Sequence, residues 1–131
     1  AGSSMGGLSS MYALCEYPKI FGGAACLSTH WPGFMPQENS PVPAAFFKYL
    51  AQNLPSPKTH KIYFDYGTET LDAYYGPYHD RLLNTLALIG YDQKNPRFLE
   101  AVVEGAGHNE KSWAQRLDVP IMFMLSSDNS Q

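Results

Sequence analysis

At 131 residues the chain has room for one domain with a core of its own but not for two. Its 44% hydrophobic and 16% charged residues are ordinary for a globular protein, and a formal charge of −3 without any Lys/Arg cluster argues against a nucleic-acid partner, which would need a basic patch. No apolar run approaches the roughly 18 residues of a membrane span, the stretch Val119 to Leu125 being far too short, so no membrane partner is expected either.

The chain opens at Ala1-Gly2-Ser3-Ser4, with no Met and no leading strand. The turn chemistry read below needs a strand before it, so the expectation is a fragment of a longer protein, with any targeting segment in the missing part. Met5 to Tyr17 reads as a helix: Leu8, Met11, Tyr12 and Cys15 fall at helical spacing and Pro18 ends it. Ala24 to Thr29 is a short apolar run suited to a buried strand. His30 to Pro43 reads as a proline-rich loop, and Ala44 to Asn53 as a helix with Phe46, Phe47 and Leu50 inward.

Lys61 to Tyr66 alternates as a second strand, and Gly67 to Gly76 is a loop. A helix runs from Tyr78 to Ile89, with Pro77 in its first turn and Gly90 as the cap. Phe98 to Glu104 is a third strand and Gly105 to Lys111 a loop. Ser112 to Leu117 starts a last helix, Pro120 opens a turn, and the tail from Ser126 is polar and frayed. Strands alternating with helices imply an α/β fold with a parallel sheet covered on both faces. Three such strands leave both sheet edges open, which again points to a fragment. Cys15 and Cys26 are too few for a disulfide framework and lack metal-ligand spacing; they read as small buried hydrophobes or as a pair with each other.

Gly2-Ser3-Ser4-Met5-Gly6 matches G-x-S-x-G. A serine on a sharp strand-to-helix turn is held in a strained conformation, and its neighbours two residues away on each side must be small. The helix that follows aims its N-terminal N–H groups at the serine, so the backbone N–H of Met5 is a candidate oxyanion donor. A serine hydroxyl needs a base. Of the four histidines, His108 stands out, on the Gly105-Ala106-Gly107-His108-Asn109 loop at a strand's C-terminal end, where parallel sheets present working groups. An acid to fix the imidazole tautomer should lie on the loop after the preceding strand, Asp65 to Asp72. The order Ser, Asp/Glu, His is that of the α/β-hydrolases.

Gly2-Ser3-Ser4-Met5-Gly6-Gly7-Leu8, then Phe21-Gly22-Gly23 and a strand, then Gly107-His108-Asn109-Glu110 with Trp113 and Arg116-Leu117, are similar to the putative-esterase family. That family includes S-formylglutathione hydrolases, enterochelin esterases, feruloyl and acetyl xylan esterases, and mycolyltransferases. The resemblance covers essentially the whole chain and implies an α/β-hydrolase fold, a mostly parallel sheet of about eight strands. Residues 1–131 would be its C-terminal half, with the N-terminal half of the same domain as a missing partner. The family often carries its acid three residues after the loop glycine, which here is Thr70. Asp72, two residues further, is the favoured acid and Glu69 the alternative, while Asp65 is read as part of the strand.

The function so implied is a serine esterase acting through an acyl-enzyme on a small-molecule or carbohydrate-linked ester, with no cofactor and no metal. An acyltransferase on the same site and a catalytically silent binding domain are the competing readings. Among the other residues, Glu110 reads as a helix-start acid, Trp31 and Trp113 as packing residues, and Arg116 as half of a structural ion pair. Trp31, on a loop, is also a candidate for lining a substrate cleft. Tyr74, Tyr75 and Tyr78 read as loop anchors rather than a sugar platform.

Overall fold

The computed structural model describes residues 1–37 and 39–127. Four strands, β1 (Gly2–Ser3), β2 (Gly23–Leu27), β3 (Lys61–Gly67) and β4 (Phe98–Val103), form one all-parallel sheet in the order β1-β2-β3-β4. Helices α1 (Met5–Glu16), α2 (Pro41–Asn53) and α3 (Gly76–Ala87) connect successive strands. Because the strands advance in one direction across the sheet, right-handed crossovers put all three helices on one face.

The core follows from that layout. Ala24, Cys26, Ile62, Phe64 and Phe98 point to one face and pack with Met11 and Leu14 of α1, Phe47 and Leu50 of α2, and Leu82 and Leu86 of α3. The alternate residues Ala25, Leu27 and Tyr63 point to the other face and pack with Leu99, Trp113, Phe123 and Met124. Those last three come from α4 (Glu110–Ala114) and α5 (Asp118–Leu125), which cover the second face. A strand buried on both sides reads as a continuous apolar run, as in Gly23–Leu27 and the first half of Lys61–Gly67.

Several elements differ from the sequence expectation, each for a local reason. Gly2 and Ser3 form a strand where none was expected, opposite Cys26 and Leu27. Helix α2 starts at Pro41 rather than Ala44, with Ser40 as its cap accepting from the Val42 N–H; proline in a first helical turn loses only an N–H that has no intrahelical acceptor. The loop after β3 contains a 3-10 turn, Thr70–Tyr74. Helix α4 begins at Glu110, two residues before the expected start, capped by the Asn109 side chain. The run after Leu117 is helix α5 rather than a turn, again with proline, Pro120, in the first turn. Cys15 and Cys26 are buried and unpaired with each other. Of the polar tail, residues 128–131 lie outside the described residues, as does Glu38 within the proline-rich loop.

Candidate functional site

The register brings four chain segments to the same edge of the sheet. Ser4 follows β1, Ser28 follows β2, the loop carrying Asp72 follows β3, and the loop carrying His108 follows β4. This is the carboxyl edge, where open parallel sheets hold their ligands.

Ser4 sits at the junction of β1 and α1 with φ 54° and ψ −121°, a region costing a non-glycine residue about 1–3 kcal/mol. It is pinned there from both sides. Its N–H donates to Leu27 O at 2.9 Å, and its carbonyl accepts from Gly7 N at 3.0 Å and His30 N at 3.2 Å. The turn is tight enough that a Cβ on Gly2 would lie 2.4 Å from the Gly6 carbonyl oxygen, with two more Gly6 backbone atoms inside 3 Å. The two motif glycines are not equivalent, however, since a Cβ on Gly6 meets no described atom. Gly7 is the closer contact on the helix side, its Cβ position 2.3 Å from Thr29 Oγ1. Met5 is the first residue of α1, so its N–H has no intrahelical acceptor.

His108 reaches Ser4 from the far end of the chain. Its Nε2 lies 2.8 Å from Ser4 Oγ and its Nδ1 2.6 Å from Asp72 Oδ1. The loop that carries it is held against the β3 exit: Glu69 N–H donates to Ala106 O at 3.0 Å, and His108 N–H to Thr70 Oγ1 at 2.8 Å. Gly67 permits that approach, because a Cβ there would fall 2.0 Å from Ala106 O. Thr70, at the position where the family often has its acid, thus fixes the histidine backbone instead.

Asp72 is fully buried. Besides His108, it accepts on Oδ2 from Gly67 N–H at 2.7 Å and from Ser28 Oγ at 2.5 Å. A carboxylate only accepts, so the neutral His108 ring carries its proton on Nδ1 and offers the Nε2 lone pair to the Ser4 hydroxyl. Glu69, the alternative acid, has an exposed side chain. Asp65 is buried within β3 and is engaged with Arg116 (Nε to Oδ2 2.9 Å, Nη2 to Oδ1 3.0 Å), Tyr63 Oη and Ser28 N–H. Arg116 and Trp113 also donate to Ser28 Oγ, at 2.8 and 3.0 Å.

Beside the histidine lies a second imidazole. The His30 and His108 ring centroids are 6.4 Å apart. His30 Nε2 is 2.7 Å from Phe34 O and its Nδ1 2.6 Å from Tyr75 Oη. The carbonyl can only accept, so the neutral ring donates from Nε2 and receives the Tyr75 proton on Nδ1. Burial depresses the His30 pKa below its ordinary 6.5; the Phe34 carbonyl opposes that shift, and the charge of His108 adds to it. Tyr75 itself is buried with its ring edge-on to His108, the anchoring role expected of that tyrosine, while Tyr74 is exposed. His60 and His79 bond elsewhere, to Pro18 O and to Glu100.

Trp31 requires a correction. It is only 3% exposed and packs on Phe46, Phe47 and Phe64, so it belongs to the core under the loop and does not line a cleft. Trp113 stands edge-on to His108, 5.0 Å between centroids. Sequence reasoning missed Ser28, His30 and Tyr75 as parts of this cluster. The signal for Ser28 and His30 was their place just past the carboxyl end of an apolar strand, the same signal that marked His108.

Among the described residues, no three His, Cys, Asp or Glu side chains group as a metal site. A cavity of about 560 Å³ opens at the opposite end of the sheet near Gly23, Lys61 and Arg97 and includes none of Ser4, Ser28, His30, Asp72, Tyr75 or His108. A family model described as "Putative esterase" matches residues 1–123. No curated protein and no solved structure matches the chain.

Proposed function

The chain belongs to the putative esterase family, and from that premise we propose that it is a serine esterase in which Ser4 is the nucleophile, His108 the general base and Asp72 the acid that orients it. Family membership points to ester-bond hydrolysis and to an α/β-hydrolase fold. The observation that carries the finer reading is the unbroken relay from Ser4 Oγ to His108 Nε2 at 2.8 Å and from His108 Nδ1 to Asp72 Oδ1 at 2.6 Å, on a serine held at positive φ.

In this mechanism Ser4 Oγ forms a bond to the ester carbonyl carbon while its proton passes to His108 Nε2. Asp72 stabilises the resulting imidazolium, and the oxyanion accepts a hydrogen bond from the Met5 N–H. Collapse breaks the bond to the alcohol, which leaves with the proton from Nε2. Water, deprotonated by the same nitrogen, then attacks the acyl carbon; the bond to Ser4 Oγ breaks, the carboxylic acid leaves, and Nε2 returns its proton to Ser4 Oγ. The same proposal treats the chain as the C-terminal portion of a larger α/β-hydrolase domain, its sheet continuing past β1.

An organophosphonate probe applied to the intact protein should label Ser4 and not Ser3, and Ser4→Ala should abolish both labelling and hydrolysis of an activated ester. Labelling at Ser3, or undiminished hydrolysis by Ser4→Ala, overturns the assignment.

A further inference from the structure

We propose that Ser28 is a positioning residue for the Asp72–His108 pair, carrying the influence of the buried Arg116 guanidinium to the acid through a single hydroxyl; this rests on the esterase reading of Ser4 and His108. A serine hydroxyl has one proton to give and two lone pairs. Ser28 Oγ has three partners: Arg116 Nη2 at 2.8 Å, Trp113 Nε1 at 3.0 Å and Asp72 Oδ2 at 2.5 Å. The guanidinium and the indole can only donate. Both lone pairs of Ser28 are therefore taken, and its single proton has one destination, the Asp72 carboxylate.

Its surroundings hold the hydroxyl in that role. Ser28 is fully buried at φ 44°, a conformation costly for a residue with a Cβ. Two hydrogen bonds from its own N–H, to Asp65 O and Asp65 Oδ1, keep it there. Arg116 is in turn fixed by the fork it makes with Asp65 and by its bond to Ser112 O. The planar guanidinium serves Asp65 and Ser28 together, a geometry that a lysine ammonium does not reproduce. Arg116 is thus more than half of a structural pair, since one of its two terminal nitrogens is shared between Asp65 and the hydroxyl behind the acid.

The effect falls on the division of labour between the two Asp72 oxygens. Oδ2 takes the Gly67 and Ser28 donors, leaving Oδ1 to His108 alone. Donors on a carboxylate disperse its charge and limit how strongly it holds an imidazolium. Without the Ser28 proton, the Asp72 charge is less dispersed and holds protonated His108 more strongly. The other polar groups facing the pair are Ser4, His30 and Tyr75 on the open side, and Asp65 and Arg116 behind Ser28.

The test is an imidazole-¹⁵N NMR titration of His108 in the intact protein and in Ser28→Ala. The variant should titrate at higher pH than the parent, with its unfolding transition still cooperative. Should Ser28→Ala fail to fold, Ser28→Gly removes the same hydroxyl and suits the positive φ. An unchanged or lowered His108 titration in a folded variant overturns the proposal. Organophosphonate labelling of the unsubstituted protein separates the two ideas: absent labelling fails the esterase reading, whereas the titration reads the Ser28 coupling whether or not the protein turns over an ester.

Discussion

Replacing Asp72 by asparagine should inactivate the enzyme by reversing a tautomer, and the direction can be worked out atom by atom. Asp72 Oδ2 faces two donors, the Gly67 N–H and the Ser28 hydroxyl. The Ser28 proton cannot turn away, because its lone pairs are occupied by Arg116 and Trp113. In Asp72→Asn the amide oxygen must therefore take the Oδ2 position, which puts the NH₂ group at Oδ1, against His108 Nδ1. An amide nitrogen only donates, so Nδ1 must accept and the ring proton moves to Nε2, the atom 2.8 Å from Ser4 Oγ. The base then presents a proton where it should present a lone pair. The same change of tautomer in a Ser-His-Asp enzyme lowers turnover by about 10⁴-fold, or about 5.5 kcal/mol of barrier. The hydrogen-bond count at the buried site is preserved, so unfolding in urea should move little. Asp72→Ala, by contrast, leaves two buried donors unpaired, at about 1–3 kcal/mol each. Hydrolysis of an activated ester, measured beside urea denaturation, checks both halves. Activity of Asp72→Asn within tenfold of the parent, or a loss as large in Glu69→Gln, would refute the reasoning.

Two further predictions follow from strain and burial. Ser4→Gly should be inactive yet more stable than Ser4→Ala, by about 1 kcal/mol: relief of about 1–3 kcal/mol of backbone strain, less the roughly 0.5–1 kcal/mol entropic cost of glycine. Equal or lower urea midpoints for Ser4→Gly would mean the elbow is not strained. The second concerns acid stability. Because the folded state lowers the His30 pKa, the unfolded chain binds the extra proton more readily, and stability falls as pH drops below about 6.5 until folded His30 titrates too. His30→Gln, whose amide keeps a donor for Phe34 O, should therefore lose less stability than the parent between about pH 7.5 and pH 5.5. Identical losses in the two proteins would count against this account.

The elements that bury an apolar face were legible in the sequence, because hydrophobic spacing records them directly. Leu8, Met11 and Cys15 announce α1, although Tyr12, read with them, is exposed and Leu14, not singled out, is buried; Ile62, Phe64 and their neighbours announce β3. Proline misled at α2 and α5, where Pro41, Pro43 and Pro120 lie in first turns; its effect depends on its position within the helix, which local sequence does not record. At the site, Ser4, His108 and Asp72 could be singled out because glycine spacing and chain order mark them. Ser28 and His30 carried only the weaker mark of a place at the carboxyl end of an apolar strand, without flanking glycines, and Tyr75 carried none; their roles show in contacts 44, 45 and 88 residues apart in the chain. The G-x-S-x-G pattern also implied more than the backbone uses, as Gly2 is sterically required and Gly6 is not by any described atom.

The hydrogen bond between Ser4 and His108 joins residues 104 positions apart, and Ser4, Ser28, Asp72 and His108 each follow a different strand of one sheet. Closing contacts across such separations costs chain entropy and slows their formation. In the proposed mechanism the Ser4 hydroxyl is therefore armed by a distant contact: until β4 docks, it has no His108 imidazole to take its proton and behaves as an ordinary alcohol. Reactivity is then a property of the folded sheet and not of the serine segment alone.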